Sequence, residues 1–470
     1  MAARGAKERP GEGSYALATT IRHDRLTLPA APLGAVNPLA PLRPLDETHT
    51  VDPATVPGLP PDMARGLALA PLTSLLPTRV LDGYERRRVP TALPALVLEN
   101  SRLRATVLPG LGGRVHSLFH KPTGRELLYL NPVFQPADFA LNGAWYSGGI
   151  EWNIGATGHT TLSCAPLHAA ATTEAGTALD RALPPEELAA ARDAWRAVAD
   201  TPPGERLATG SAWAALEVRR AALDLPGTPF DDAPGPEQRP WAALLDTGAL
   251  PAKAPGPDQD PGPTLVSPAW RDLLETAPPD PLTEYHLGVA QWHAGDLAQA
   301  VRSWERALTA PGAADAARWP ALRALAVADT AARHPVRAAE RYAEALADAL
   351  ARRGTPDGED PDDEPSPLVA ALVREAVPAL LAADRAGAAR EVYGRLHPAT
   401  RARGRFRLLE AQLLLAEGER EAALAVFTGG FEVADLREGD EVLSDTWARL
   451  GDEPLPAAYD FRMRPAGQEG

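Results

Sequence analysis

The chain has 470 residues, a net charge of −15 and 45% hydrophobic and 23% charged residues. A chain of this length exceeds one core and is expected to hold about two or three domains. The acidic balance excludes nucleic acid and an anionic membrane surface as partners. Cys164 is the single cysteine, so no internal disulfide forms, and no CxxC or His/Cys cluster points to a metal or any other cofactor. No apolar stretch approaches the length of a membrane span, and the first ten residues lack an apolar signal region, so the chain reads as soluble and cytoplasmic. Proline and glycine are abundant (49 and 39), which points to long loops, while the scarcity of Lys and Ile reads as GC-rich bacterial coding.

In chain order, residues 1–13 read as a disordered tail. Short apolar runs follow at 14–21 and 26–28, and then a Pro-rich connector over about 30–77, whose prolines disfavour helix. Strands are predicted at 96–98 and 103–108, around a turn at Glu99, Asn100 and Ser101. After a Gly-rich turn at 109–113, residues 114–119 show the alternation of a half-buried strand, and 126–130 is expected to add another. The expected result is an antiparallel meander with one wet face. Arg114 and His116 share a face of their strand, read here as solvated, with contact to a ligand as the alternative.

Residues 143–159 concentrate Trp145, Tyr146, Glu151, Trp152, Asn153 and His159 among five glycines. Glycine permits sharp turns and close approach to a ligand, and aromatic faces beside polar groups suit a saccharide. The competing reading is structural: two core tryptophans and a glycine-built corner. The candidate saccharide-binding residues are Arg114, His116, Trp145, Glu151, Trp152, Asn153 and His159. Glu151 and His159 are also the weak candidates for acid–base catalysis, since both residue types transfer protons, although eight residues of Gly-rich loop fix no geometry between them.

The strings ENSRLRATVLPGLGGRVHSL at 99–118, TGRELLY at 123–129 and WYSGGIEWN at 145–153 resemble the opening of the DUF5107 family. That resemblance implies a β-sandwich similar to aldose 1-epimerase (galactose mutarotase) followed by C-terminal tetratricopeptide repeats. In such sandwiches acid–base work is shared between central histidines and a late carboxylate. Here the strand pattern stops after Ser163, short of the roughly 200–250 residues a full sandwich needs. The chain therefore reads as a shortened member, with a partial sandwich over 14–165.

Residues 166–280 read as a helical bridge and linker, with a helix opening at Pro184, Pro185, Glu186 and Glu187. A second helix is predicted at 211–220. Residues 226–266 read as a Pro/Gly-rich surface loop, anchored by Trp241, Leu244 and Leu245. From 281 to 455 the residues follow tetratricopeptide offsets: Gly288, Ala300 and Trp304, then Ala338 and Tyr342, Ala389 and Tyr393, and Gly418, Ala423 and Phe427. Small residues there allow close helix approach, and the aromatic fills the space behind. The lengthened spacing before Ala389 reflects an acidic insertion at 354–365. Residues 456–470 form a tail.

The predicted fold class is α+β and multidomain, an antiparallel β domain followed by an all-α solenoid whose concave face binds a protein or peptide. The functional expectation is a carbohydrate-recognition or degenerate sugar-processing module on an interaction scaffold, non-catalytic in this form. The alternatives are an active carbohydrate epimerase or glycoside-active enzyme and a pure protein-interaction adaptor.

Overall fold

The computed structural model describes residues 19–45, 57–61, 63–64, 74–152, 163–165, 211–221, 234–251, 260–312, 317–354, 360, 362–437, 439–451 and 454–460. The helix expected at Pro184 and the N-terminal tail lie outside them. The described residues form an N-terminal antiparallel sheet followed by helices, as the sequence predicts.

The sheet runs in the order β1 (Thr20–Ala30), β2 (Val89–Glu99), β3 (Leu103–Leu108), β4 (Arg114–His120) and β5 (Arg125–Glu126). The turn at Asn100 forms as expected, its Oδ1 accepting from the N–H groups of Arg102 and Leu103. Three details differ. The last two residues of the first apolar run and the whole of the second lie in a single strand, because β2 pairs with β1 along all eleven residues. β2 begins well before residue 96 despite Pro90 and Pro94. Its pairing with β3 involves only residues 96–99, so the first part of β2 has a free side where proline's missing N–H costs nothing. The strand expected at 126–130 shrinks to Arg125–Glu126. The Glu126 carboxylate accepts from the N–H groups of Leu118, Leu127 and Leu128 and turns the chain away there.

A short ribbon, β6 (Ala137–Ala140) and β7 (Gly143–Trp145), contributes to the inner face of the sheet. Leu28, Ala30, Ala95 and Leu108 pack there with Phe134, Ala144, Tyr146 and Cys164. Among the described residues no further strand follows β7.

Helix α1 (Ser211–Ala221) stands where predicted, but α2 (Arg239–Thr247) corrects the surface-loop reading of 226–266. Trp241 is buried edge-on against Trp270 of α3 (Pro268–Thr276), and that burial makes the segment helical despite its Pro/Gly surroundings. Four antiparallel pairs follow. They are α4 (Pro281–His293) with α5 (Leu297–Thr309), α6 (Arg318–Ala331) with α7 (Pro335–Arg353), α8 (Pro367–Ala382) with α9 (Ala386–Gly394), and, after the short α10 (Pro398–Arg401), α11 (Gly404–Ala416) with α12 (Arg420–Thr428). α13 (Val442–Ala448) closes the end. Each pair turns through one left-handed residue two positions before its second helix: Gly295, Arg333, Asp384 and Gly418. The repeat geometry thus persists where glycine is absent.

The first helices of the first two pairs are buried around their circumference. Every residue from Pro281 to Gln291 of α4 and from Trp319 to Asp329 of α6 is buried. The second helices bury one stripe, as in α5 with Ala300, Ser303, Trp304 and Ala307. A helix buried all round has partners on two sides. One side is the second helices. Residues of the Pro-rich connector reach the other, with Leu39, Ala40, Leu42 and Leu76 joining the array's core.

Candidate functional site

The glycines of the Trp145 segment place it against β4. Gly148 and Gly149 have φ of 109° and 69°, and a Cβ on Gly149 would collide with the Val115 carbonyl. Ile150 can therefore exchange both backbone hydrogen bonds with Val115 (2.9 and 3.2 Å). Glycine here serves close backbone approach.

This docking commits the predicted site residues to the protein. The Trp145 indole N–H donates to Glu151 at 3.0 Å, and the Ser163 hydroxyl donates to the other Glu151 oxygen. The Trp152 indole N–H donates to the Gly113 carbonyl at 2.9 Å, which leaves its ring 48% exposed. Phe139 lies 5.1 Å from Trp145, ring to ring. Asn153 and His159 lie outside the described residues, so the Glu151–His159 pair has no geometry to report.

Arg114 and His116 do not form a solvated face. They are 2% and 7% exposed. The Arg114 guanidinium lies over Tyr146 at 4.9 Å and donates to the Gly148 carbonyl at 2.5 Å, while its Nε and Nη2 have no hydrogen-bond partner among the described residues. Burial lowers its pKa, opposed by the nearby Glu151 carboxylate. His116 is the extra residue of a β-bulge: Thr106 pairs with Ser117 but Val107 pairs with Val115. Bulges re-aim side chains, and this one brings His116 beside Ser117. Burial lowers the His116 pKa, so the ring is neutral at pH 7.

The two residues part company at this point. Arg114 enters the core, whereas His116 lines a groove of about 270 Å³ on the sheet. The groove is also lined by Arg22, Asp24 and Arg25 of β1, by Arg104 and Thr106 of β3 and by Ser117. Sequence reasoning missed all of these but His116. The Arg22–Glu99 contact spans 77 positions, and only the β1–β2 register brings its ends together.

A second cleft, about 540 Å³, lies between connector residues 32–38 and 82–85 and the helices α8, α10 and α11. Its arginines are spent on contacts within the protein. Arg374 bonds Asp82 at 2.6 Å and approaches Asp435 at 3.1 Å. Arg403 donates to the Gly83 carbonyl at 3.0 Å, and Arg405 grips both Asp435 oxygens at 3.0 and 3.1 Å. Nearby, burial pushes the Asp138 carboxyl up to about 6 despite Arg437; Asp435 adds to the rise, and Arg405 and Arg374 oppose it. Between about pH 4 and 6 the folded state holds a proton that the unfolded chain releases, so this contribution to stability is lost as pH rises through 6. Asp138→Asn is expected to stabilise the protein by about 1–2 kcal/mol at pH 8, discounted from the full shift for partial exposure, and by nothing at pH 4. Urea unfolding at the two pH values checks this, and equal gains at both would refute it.

Among the described residues no three metal-ligating side chains converge, and no helix is long and apolar enough to cross a membrane.

Comparison with known proteins agrees with this architecture. A family model described as a domain of unknown function, DUF5107, matches residues 71–203, a range that includes β2 to β7. Among solved structures, a TPR-domain containing protein from Parabacteroides distasonis aligns over 94% of this chain and 97% of its own, with a TM-score of 0.51 and 11% identity. Residues 71–203 thus match the DUF5107 model, within a chain whose overall fold is similar to that of a TPR-domain containing protein.

Proposed function

We propose that the protein is a non-catalytic interaction scaffold whose first-helix face holds an extended polypeptide segment, here the chain's own residues 37–42. The observation that carries this reading is main-chain capture by side chains of the array. Trp292 of α4 donates to the Leu42 carbonyl at 2.7 Å, and Arg323 of α6 donates to the Ala40 carbonyl at 2.6 Å. Leu39 and Leu42 insert beside these bonds as apolar anchors, 4% and 2% exposed. Prolines at 38, 41 and 44 suit the role, since a pre-extended segment loses less entropy on docking.

In this reading the saccharide expectation recedes. The indole N–H groups of Trp145 and Trp152 and the Glu151 carboxylate bind the protein itself, and no catalytic pair is assigned.

A fluorescent peptide of residues 36–45, titrated by anisotropy, tests the proposal. The full chain carrying Leu39→Asp and Leu42→Asp, which expels the resident segment, is expected to bind it with a Kd of about micromolar, whereas the unsubstituted chain binds at least about tenfold more weakly. A variant that stays folded by circular dichroism but ignores the peptide would rule the proposal out.

A further inference from the structure

β1 is an edge strand of eleven residues, and among the described residues β2 is the one strand that pairs with it between Thr20 and Leu28. Its far edge is used at one end, where Phe134 bonds the Pro29 carbonyl and the Ala31 N–H. Backbone groups along a strand point to alternate sides, so Ile21, His23, Arg25 and Thr27 also turn theirs away from β2. Two further observations agree. Pro90 and Pro94 of β2 stand opposite Pro29 and Arg25, where the β1–β2 ladder needs no N–H. The Arg25 N–H, facing the open edge, donates to the Asp24 carboxylate at 2.8 Å.

Natural proteins blunt an open edge by shortening, covering or charging it. β1 is long, and its charged residues Arg22, Asp24 and Arg25 are of both signs. A guard of one sign repels every copy of itself, whereas opposite charges on either side of His23 match their own reverse order. Arg22 and Asp24 share a face of the strand and lie 3.6 Å apart, with Arg22 also held by Glu99 at 2.6 Å.

We propose that β1 pairs antiparallel with β1 of a second copy of this chain, about a two-fold axis at His23. This register sets Arg22 opposite the partner subunit's Asp24, and Asp24 opposite the partner subunit's Arg22. Both residues spend their backbone groups on β2, so across the axis they form the closer, non-hydrogen-bonded kind of pair, whose side chains meet. Ile21, 57% exposed, comes to lie opposite the partner subunit's Arg25, whose aliphatic stem covers it. An axis at Arg22, Asp24 or Arg25 would instead set that charge against itself. The overlap runs from Thr20 to Leu26 in each copy and stops short of the Phe134 contact. Such a contact is self-complementary and joins the two five-stranded sheets into one. It is independent of the held segment, which packs on the helices.

Sedimentation velocity on the full chain over about 1–100 μM provides the test, and the parent chain is expected to dimerise within this range. Arg22→Asp sets aspartate against aspartate twice in the symmetric pairing, and Asp24→Arg sets arginine against arginine twice. Each variant alone is expected to show a dimer dissociation constant raised by about tenfold or more. Mixing the two variants restores both opposite-charge pairs, and the mixture is expected to regain the parent's dimer. That recovery also shows that both variants are folded. A parent chain that stays monomeric at about 100 μM would overturn the proposal and leave the edge to a strand of another protein. Dimers unchanged in both single variants, or a mixture no more dimeric than either variant alone, would overturn it equally.

Discussion

Gly288→Ala is expected to destabilise the protein by about 2–3 kcal/mol, although alanine is the better helix former by about 1 kcal/mol. A Cβ at 288 would lie 2.9 Å from Cε2 of Trp304 and closer still to Nε1 and Cδ1. Trp304 is fully buried, and its indole N–H donates to the Tyr285 carbonyl at 3.1 Å. It also packs against Trp292 at 5.6 Å. The ring therefore has nowhere to retreat, and moving it forfeits a buried hydrogen bond as well as packing. Urea unfolding provides the measurement. Gly387→Ala is the matched control, because a Cβ there meets nothing within 4 Å and should cost no stability. Adding Trp304→Phe to Gly288→Ala should recover part of the loss by freeing space. A Gly288→Ala protein as stable as its parent would contradict the packing argument.

Arg323→Ala or Glu375→Ala is expected to cost about 3–5 kcal/mol, because each leaves the other charge buried and unpaired. Arg323 of α6 is 4% exposed and grips both Glu375 oxygens of α8 at 2.8 and 2.7 Å. Burial opposes ionisation of Glu375, but the Arg323 guanidinium outweighs it and holds the carboxyl below its usual range. Replacing both partners by apolar residues, Arg323→Met with Glu375→Leu, should restore most of the loss. The residual deficit reports the Ala40 carbonyl and the Tyr342 hydroxyl, which lose their partners in the double variant as well. The double variant should therefore be cleaved faster than its parent within residues 36–45 under limited proteolysis. Single variants within about 1 kcal/mol of the parent would show that the pair contributes little.

The two predictions differ in how visible their sites were in the sequence. Gly288, Ala300 and Trp304 are close in the chain, and their spacing is the packing rule of a helical pair. The same pattern located all four pairs. Arg323 carries no such signal, because its partners are at positions 40 and 375, and helix periodicity alone would place an arginine in solvent. His116 was singled out, but as part of a wet face. Strict alternation ignores a one-residue bulge, and the bulge depends on the β3–β4 register. The connector was recognised by its prolines as non-helical, yet composition does not reveal that Leu39 and Leu42 have a groove to fill.

The Trp145–Trp152 segment was legible as a glycine-built corner. Whether its polar edges face a ligand or the protein was not, because Gly113 and Ser163 are supplied by other parts of the chain. Local spacing in this sequence therefore determined the helical pairs, the turn at Asn100, the antiparallel meander and the DUF5107 resemblance, each of which rests on contacts between near neighbours or on a continuous string. Only the tertiary structure decided which charged side chains are buried and which carbonyls the array captures. Burial and pairing depend on residues tens to hundreds of positions away, and the free energy of a charge is set by those surroundings rather than by the residue that carries it.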